Sequence, residues 1–229
     1  MSQTLVATAP PPPPPPRQPR RWLLTAGASA GPLFVGTFLV AGALRAHYDP
    51  LRHPVSSLEL GAHGWVQHAS FLAAGLLTLA LAAGARAALR TPAAVLIGIW
   101  ALGLIGAGAF TTDPVSGYPP GTPDRPLHAT WHGALHDGVS LIGFAALVAA
   151  CLVVARRSAR DGRRGWAVYS VLTAIVFTAG LVLATLAFSG GGALGGLYQR
   201  VMATSAWLWL TLLALRERTV ARKRADGAG

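Results

Sequence analysis

Charge is scarce in this chain: 12% of its 229 residues are Asp, Glu, Lys or Arg, against about 25% in soluble globular proteins. A chain of this length folding in water needs charge to coat its surface, so a soluble globular domain is excluded. Only eight residues are acidic, and lysine occurs once, at Lys223. There is one cysteine, Cys151, deep in an apolar run. That rules out an intrachain disulfide and leaves a small core residue. The net charge of +11 does not signal nucleic acid, because the basic residues form no stripe along a polar face. They flank apolar runs instead.

Apolar residues are what the chain has in excess, 52% of the total. They gather in six segments near 22–44, 65–85, 93–110, 130–155, 166–188 and 197–215. Most reach or approach the ~20 residues that cross a ~30 Å hydrocarbon layer. The fold class read from this is all-α: a polytopic transmembrane bundle of about six helices over residues 22–216. The fourth helix is expected to open near Pro126, a residue suited to a first helical turn. Arg200, near the start of the sixth, is expected to snorkel to the interface. Residues 1–21 include seven consecutive prolines, Pro10 to Pro16, and read as a disordered Pro/Arg-rich tail; residues 217–229 read as a basic tail. At 23 residues the first segment exceeds the 7–15-residue apolar stretch of a signal peptide. Its Gly27 and Gly31, four apart, suit close helix packing. It is therefore read as a retained helix.

The loops give an orientation. Fifteen of nineteen basic residues fall at one end of the six segments: in the first 21 residues, at Arg86 and Arg90, from Arg156 to Arg164, and after Leu215. The positive-inside rule makes that end cytoplasmic, with both termini on that side of a plasma membrane. Trp22 and Trp166 fall at the inner boundary, Trp65 and Trp131 at the outer, as in aromatic belts.

Histidine is sorted the opposite way. His47, His53, His63, His68, His128, His132 and His136 all belong to the outer half, with Asp49, Glu59, Asp113, Asp124 and Asp137. His68 precedes Arg86 by 18 residues and Asp137 precedes Arg156 by 19, about 27–29 Å of helix in each case. His68, His136 and Asp137 thus share one level near the outer boundary, where ionisable groups are costly unless they face the bundle interior or water. His128, His132 and His136 recur every four residues and would share one helix face, drifting about 40° per step. Two imidazoles so spaced can bind one metal ion. The candidate metal ligands are His68, His128, His132 and His136, with His63 or Asp113 as further donors, and zinc is the ion such a set would take. Asp113 and Asp137 are the candidate catalytic bases, although Asp137 lies about 140° around the helix from His132. The competing reading makes the same groups structural, bonding loops to helix ends.

An offset of 64 relates Asp49-Pro50 to Asp113-Pro114, His68 to His132 and Gly42 to Gly106, so the first and second hairpins read as parallel repeats. The stretch from His47 to His68, His-Tyr-Asp-Pro-Leu-Arg-His-Pro-Val-Ser-Ser-Leu-Glu-Leu-Gly-Ala-His-Gly-Trp-Val-Gln-His, resembles the first outer loop of the bacterial and archaeal family called domain of unknown function 998. Phe110-Thr-Thr-Asp-Pro114 and the helix bearing His128, His132 and His136 extend the resemblance over roughly residues 25–215. It implies a membrane protein of about six helices with no assigned activity, and supplies no catalytic residues. In the loop itself, Asp49-Pro50 and His53-Pro54 enforce turns, Ser56 and Ser57 favour local hydrogen bonds, and Gly61 and Gly64 permit tight reversal. The loop is expected to fold over the helix ends as a lid or plug.

Two functions follow as expectations. The first is a non-catalytic membrane component, with lipid as partner and an outward-facing His/Asp cluster able to respond to external pH. The alternative is a metal-dependent membrane hydrolase, in which metal-bound water attacks a lipid or lipid-linked substrate at the outer leaflet.

Overall fold

In lipid every backbone polar group must be paired within its own segment, so long apolar runs fold as helices. The computed structural model describes residues 21–125 and 128–226; the proline run and Pro126 lie outside the described residues. Five α-helices and one 3-10 turn follow in order: α1 (Arg21–Leu44), the turn (Ser56–Glu59), α2 (Gly64–Ala109), α3 (Trp131–Arg160), α4 (Arg164–Gly190) and α5 (Gly195–Asp226). No strand occurs among the described residues.

α2 carries two of the expected segments. Its 46 residues do not form one rod, because His68 Nδ1 stands 3.0 Å from the carbonyl of Gly108 and Gly75 lies against Ala101 and Ile105. The helix doubles back between a first limb, Gly64–Arg86, and a second limb, Pro92–Ala109. Pro92 sits in the first turn of the second limb, where a missing N–H costs nothing.

Five stretches are long and apolar enough to cross a membrane: α1, the two limbs of α2, α3 and α4. The protein is a multi-pass membrane protein. α5 is less apolar, but it runs antiparallel along α1: Arg21 bonds the carbonyl of Arg222, Gly31 packs on Trp207 and Thr211, and Gly42 approaches Arg200. It therefore crosses the same slab as α1. Its helix continues through Asp226 and takes in most of the basic stretch after Leu215.

Each rod packs on its neighbours in sequence, and α5 closes the ring onto α1. Between helices in lipid there is little hydrophobic driving force, so close packing of small residues must hold them. Gly27 meets Leu81 on the first limb of α2, and Gly103 and Gly106 meet Val139 and Gly143 on α3. Gly27 and Gly31 thus do serve close packing, against two different partners. Inside the ring, Trp100, Phe34 and Trp207 stack with centroids 5.2–5.8 Å apart, and Phe144 meets Phe177 at 5.5 Å. Trp209 is fully buried and donates to Ser170 Oγ at 3.0 Å.

A Cβ on Gly103 would fall 2.9 Å from the carbonyl of Val139, whereas Gly98, five residues earlier, has nothing within 4 Å. Gly103→Leu is expected to lower the melting temperature in detergent, with overpacking costing about 1–3 kcal/mol. Gly98→Leu should leave it near wild type, and equal losses in both would mean that this contact does not hold α2 to α3.

Candidate functional site

The site forms where the second limb of α2 ends. An α-helix leaves its last four carbonyls without intrahelical partners, and near hydrocarbon an unpaired carbonyl is costly. Phe110 N–H takes the carbonyl of Gly106 at 3.0 Å, and histidines take most of the rest. His68, from the first limb, donates through Nδ1 to Gly108. His136, on α3, places Nδ1 2.8 Å from the carbonyl of Phe110 and 3.0 Å from that of Ala107. One turn earlier, His132 Nδ1 lies 2.9 Å from the carbonyl of Thr111. A carbonyl only accepts, so each of these nitrogens carries a proton.

Asp113 starts α3. Its Oδ2 accepts the N–H of Thr130 at 2.9 Å and its Oδ1 accepts the Thr130 hydroxyl at 2.6 Å. Thr130 is the N-cap, and its Oγ1 accepts from Gly133 N–H at 3.1 Å. A side chain at Gly133 would overlap the Asp113 carboxylate. Because the helix opens at Trp131, His128 stands before it, exposed, and does not share a helix face with His132 and His136 as the four-residue spacing predicted. Asp137 points away from the carbonyls and, with His136, lines a cavity of about 360 Å³ inside the helix ring. His63 precedes the first turn of α2 without a side-chain cap bond.

At the centre is a residue that sequence reasoning missed. The 3-10 turn Ser56–Glu59 folds Glu59 inward until its side chain is wholly enclosed. Oε2 accepts the N–H of Thr112 at 3.0 Å and lies 3.5 Å from His136 Nδ1. Oε1 lies 3.8 Å from His68 Nδ1 and has no hydrogen-bond partner. Burial pushes the carboxyl up to about 8, against the opposing pull of the Thr112 N–H, so it holds its proton at neutral pH. A signal was present: Glu59 stands between Leu58 and Leu60, an apolar setting unlike that of the other acids in the two loops.

The loop above is stapled down, as a lid would be. Arg200 Nη1 donates to the carbonyls of Pro50 at 2.5 Å and His53 at 3.0 Å, and its Nη2 to the Tyr48 hydroxyl at 2.5 Å. It thus turns into the loop rather than snorkelling outward. Arg45 holds the carbonyl of Leu60 at 2.7 Å. Arg52 ties the first loop to the second through Ser116 and Asp124, and Val55 N–H bonds Gln199 on α5.

A family model described as protein of unknown function, DUF998, matches residues 28–216. The chain belongs to that family. The match takes in both loops, α2 to α4 whole and most of α1 and α5, including all the residues of the cluster. Comparison with curated proteins and with solved structures finds no match.

Of the four histidines predicted as metal ligands, the fold brings His68 and His136 to one carboxyl, sets His132 one turn away on Thr111, and leaves His128 apart. Among the described residues, no three His, Cys, Asp or Glu side chains are grouped to hold a metal ion.

Glu59 takes its proton more tightly in the fold than in an unfolded chain, where its value is near 4.5. The folded state therefore binds more protons between those limits, and its stability falls as pH rises from about 4.5 through about 8. Glu59→Gln removes this dependence. The melting temperature of the variant minus that of wild type should be smallest at the acid end and grow to a plateau above about pH 8. A difference that stays flat across the range would show that Glu59 is not held protonated.

Proposed function

We propose that this protein is a non-catalytic component of the plasma membrane, with both termini cytoplasmic and the His/Glu cluster facing outward, where it couples the docking of the first loop to external proton concentration. The observation that carries the reading is the engagement of the polar groups. The Nδ1 atoms of His68 and His136 cap the end of α2, His132 holds Thr111 just beyond it, and Asp113 holds Thr130, the N-cap of α3. Groups committed to helix ends are poor nucleophiles and bases, since any reaction would have to uncap a helix. The member left incompletely bonded is Glu59, whose protonated form suits its enclosure and whose charged form does not. Orientation is supported by the arginine bias, with Arg86, Arg160 and Arg218 at the end opposite the histidines.

The alternative, a metal-dependent hydrolase of lipid or lipid-linked substrates, draws support from the free Nε2 of His132 and His136, four residues apart on α3. A third donor is what it needs, and neither His128 nor Asp113 is arranged beside them as one.

Two measurements test these readings. In a Cys151→Ser background, Ser57→Cys places a thiol at a fully buried position under the first loop. A membrane-impermeant thiol reagent added outside cells should label it slowly at acid pH. Labelling should rise toward pH 8 and above, relative to the same protein carrying Glu59→Gln in addition. Labelling only in inverted vesicles would overturn the orientation, and a pH-independent ratio would overturn the proton response. For the alternative, metal analysis of detergent-purified protein is expected to give no stoichiometric zinc in wild type. Stoichiometric zinc that disappears in His132→Ala/His136→Ala would establish the metal centre instead.

A further inference from the structure

The cavity beside His136 has a chemistry of its own. It is enclosed by all five helices and closed from the loop side by Val55 and Ser56. Its floor is aromatic, with Trp100, Phe177 and Trp207 buried there. Its polar groups gather toward the histidine-bearing end: Asp137 and Ser140 on α3, Thr185 on α4 and Gln199 on α5. Along α3, the seven residues from Asp137 to Phe144 separate the polar rim from the aromatic floor by about 10 Å.

The opening is sideways. Asp137 and Leu141 on α3 and Thr185 on α4 line the cavity yet are exposed, whereas His136, Trp100 and Phe177 are buried. α4 is also the least buried of the apolar helices. An exit between the outer thirds of α3 and α4, below a loop that is stapled shut, leads into hydrocarbon.

Charge narrows the occupant. The lining holds one carboxylate, Asp137, and no lysine or arginine. Three of the four arginines at this end are already engaged, Arg45 with Leu60, Arg52 with Asp124, and Arg200 with Pro50 and His53. The fourth, Arg125, is exposed on the second loop and does not line the cavity. A phosphate or carboxylate head at this rim would meet Asp137 with no cation to offset the repulsion. A hydroxyl-bearing head would find an acceptor in that carboxylate and donors or acceptors in Ser140, Thr185 and Gln199.

We propose that this cavity binds a long-chain membrane amphiphile whose head donates hydrogen bonds and carries no negative charge. The chain enters between α3 and α4 and lies on the aromatic floor, with the head held at Asp137. The volume is within the range of ligand sites, about 300–1,000 Å³, and such sites pair an apolar body with a few placed polar groups. The inference does not depend on the pH response or on the orientation proposed above.

The test uses the full chain in liposomes with a monoacylglycerol carrying a photoreactive diazirine in its chain. Crosslinks are expected on cavity residues such as Phe177 and Trp207. They should be competed by unlabelled monoacylglycerol at concentrations at least about tenfold below those of a lysophosphatidic acid of equal chain length, since a like-charge contact costs several kcal/mol. Asp137→Lys should reverse that order. Ala203→Trp, which fills the cavity from α5, should abolish the saturable crosslinks. If that variant fails to fold, the Asp137→Lys reversal still decides. Crosslinks that cannot be competed, or that fall on outward-facing residues such as Leu172 and Ile175, would overturn the proposal, as would equal competition by the two heads.

Discussion

The architecture turns on four carbonyl groups. Where the second limb of α2 stops, its last turn presents oxygen atoms that neither helix nor hydrocarbon can satisfy. The donors must come from neighbouring rods, and each donor fixes the rod that carries it. His68 sets the first limb of α2 against the second, while His132 and His136 set the depth of α3. The four-residue spacing of the α3 histidines matches this task. One turn on α3 is a rise of about 6 Å, which carries His136 to the last turn of α2 at Ala107 and the C-cap Phe110, and His132 to Thr111 just beyond the helix end. A periodicity that resembles a metal-binding signature is thus accounted for by one helix capping another.

The loops obey a related constraint. The first carries Pro50 and Pro54, each of which removes an N–H donor and interrupts regular pairing. Its oxygens at Pro50, His53, Leu58 and Leu60 are collected by arginine, whose planar head offers five N–H groups. Four basic residues stand at the histidine-bearing end, Arg45, Arg52, Arg125 and Arg200, and three of them are bound in this way. That end therefore carries few free positive charges, and arginine has two different uses: excess charge at one face, only partly paired with Asp161, Glu217 and Asp226, and carbonyl collector at the other.

Much of this was legible in the sequence. Long apolar runs declare helices in lipid without reference to any partner, and the two limbs of α2 were visible as separate segments on either side of Arg86 and Pro92. Gly27 and Gly31 announced close contact, and the first loop announced order through its prolines and glycines. What could not be read was direction. Glu59 looked like one more loop acid until the turn at Ser56–Glu59 carried it inward, because inward rotation depends on contacts with residues more than fifty positions away, such as Thr112. His128 looked like the third member of a helical row because the helix start was set near Pro126. Thr130 and Asp113 together make the stronger start signal, and that signal requires a pairing across 17 residues.

The cluster read from sequence as one unit is two. His136 and Asp137 are adjacent, and adjacency on a helix means about 100° of rotation. His136 therefore spends its Nδ1 on the carbonyls of α2 at the cavity wall, while Asp137 stands at the cavity rim free of them. The first environment is largely saturated: the three histidine Nδ1 donors are each spent on a carbonyl, and Glu59 Oε1, left without a partner, is enclosed. The second is unsaturated, with an exposed carboxylate and two hydroxyls above an aromatic floor. Saturated polar networks rigidify a fold, whereas unsaturated groups above an apolar cavity are the usual makings of a binding site. The division of labour along one turn of α3 therefore assigns the histidines to holding the helices and loop in place, and leaves recognition to Asp137 and the residues across the gap from it.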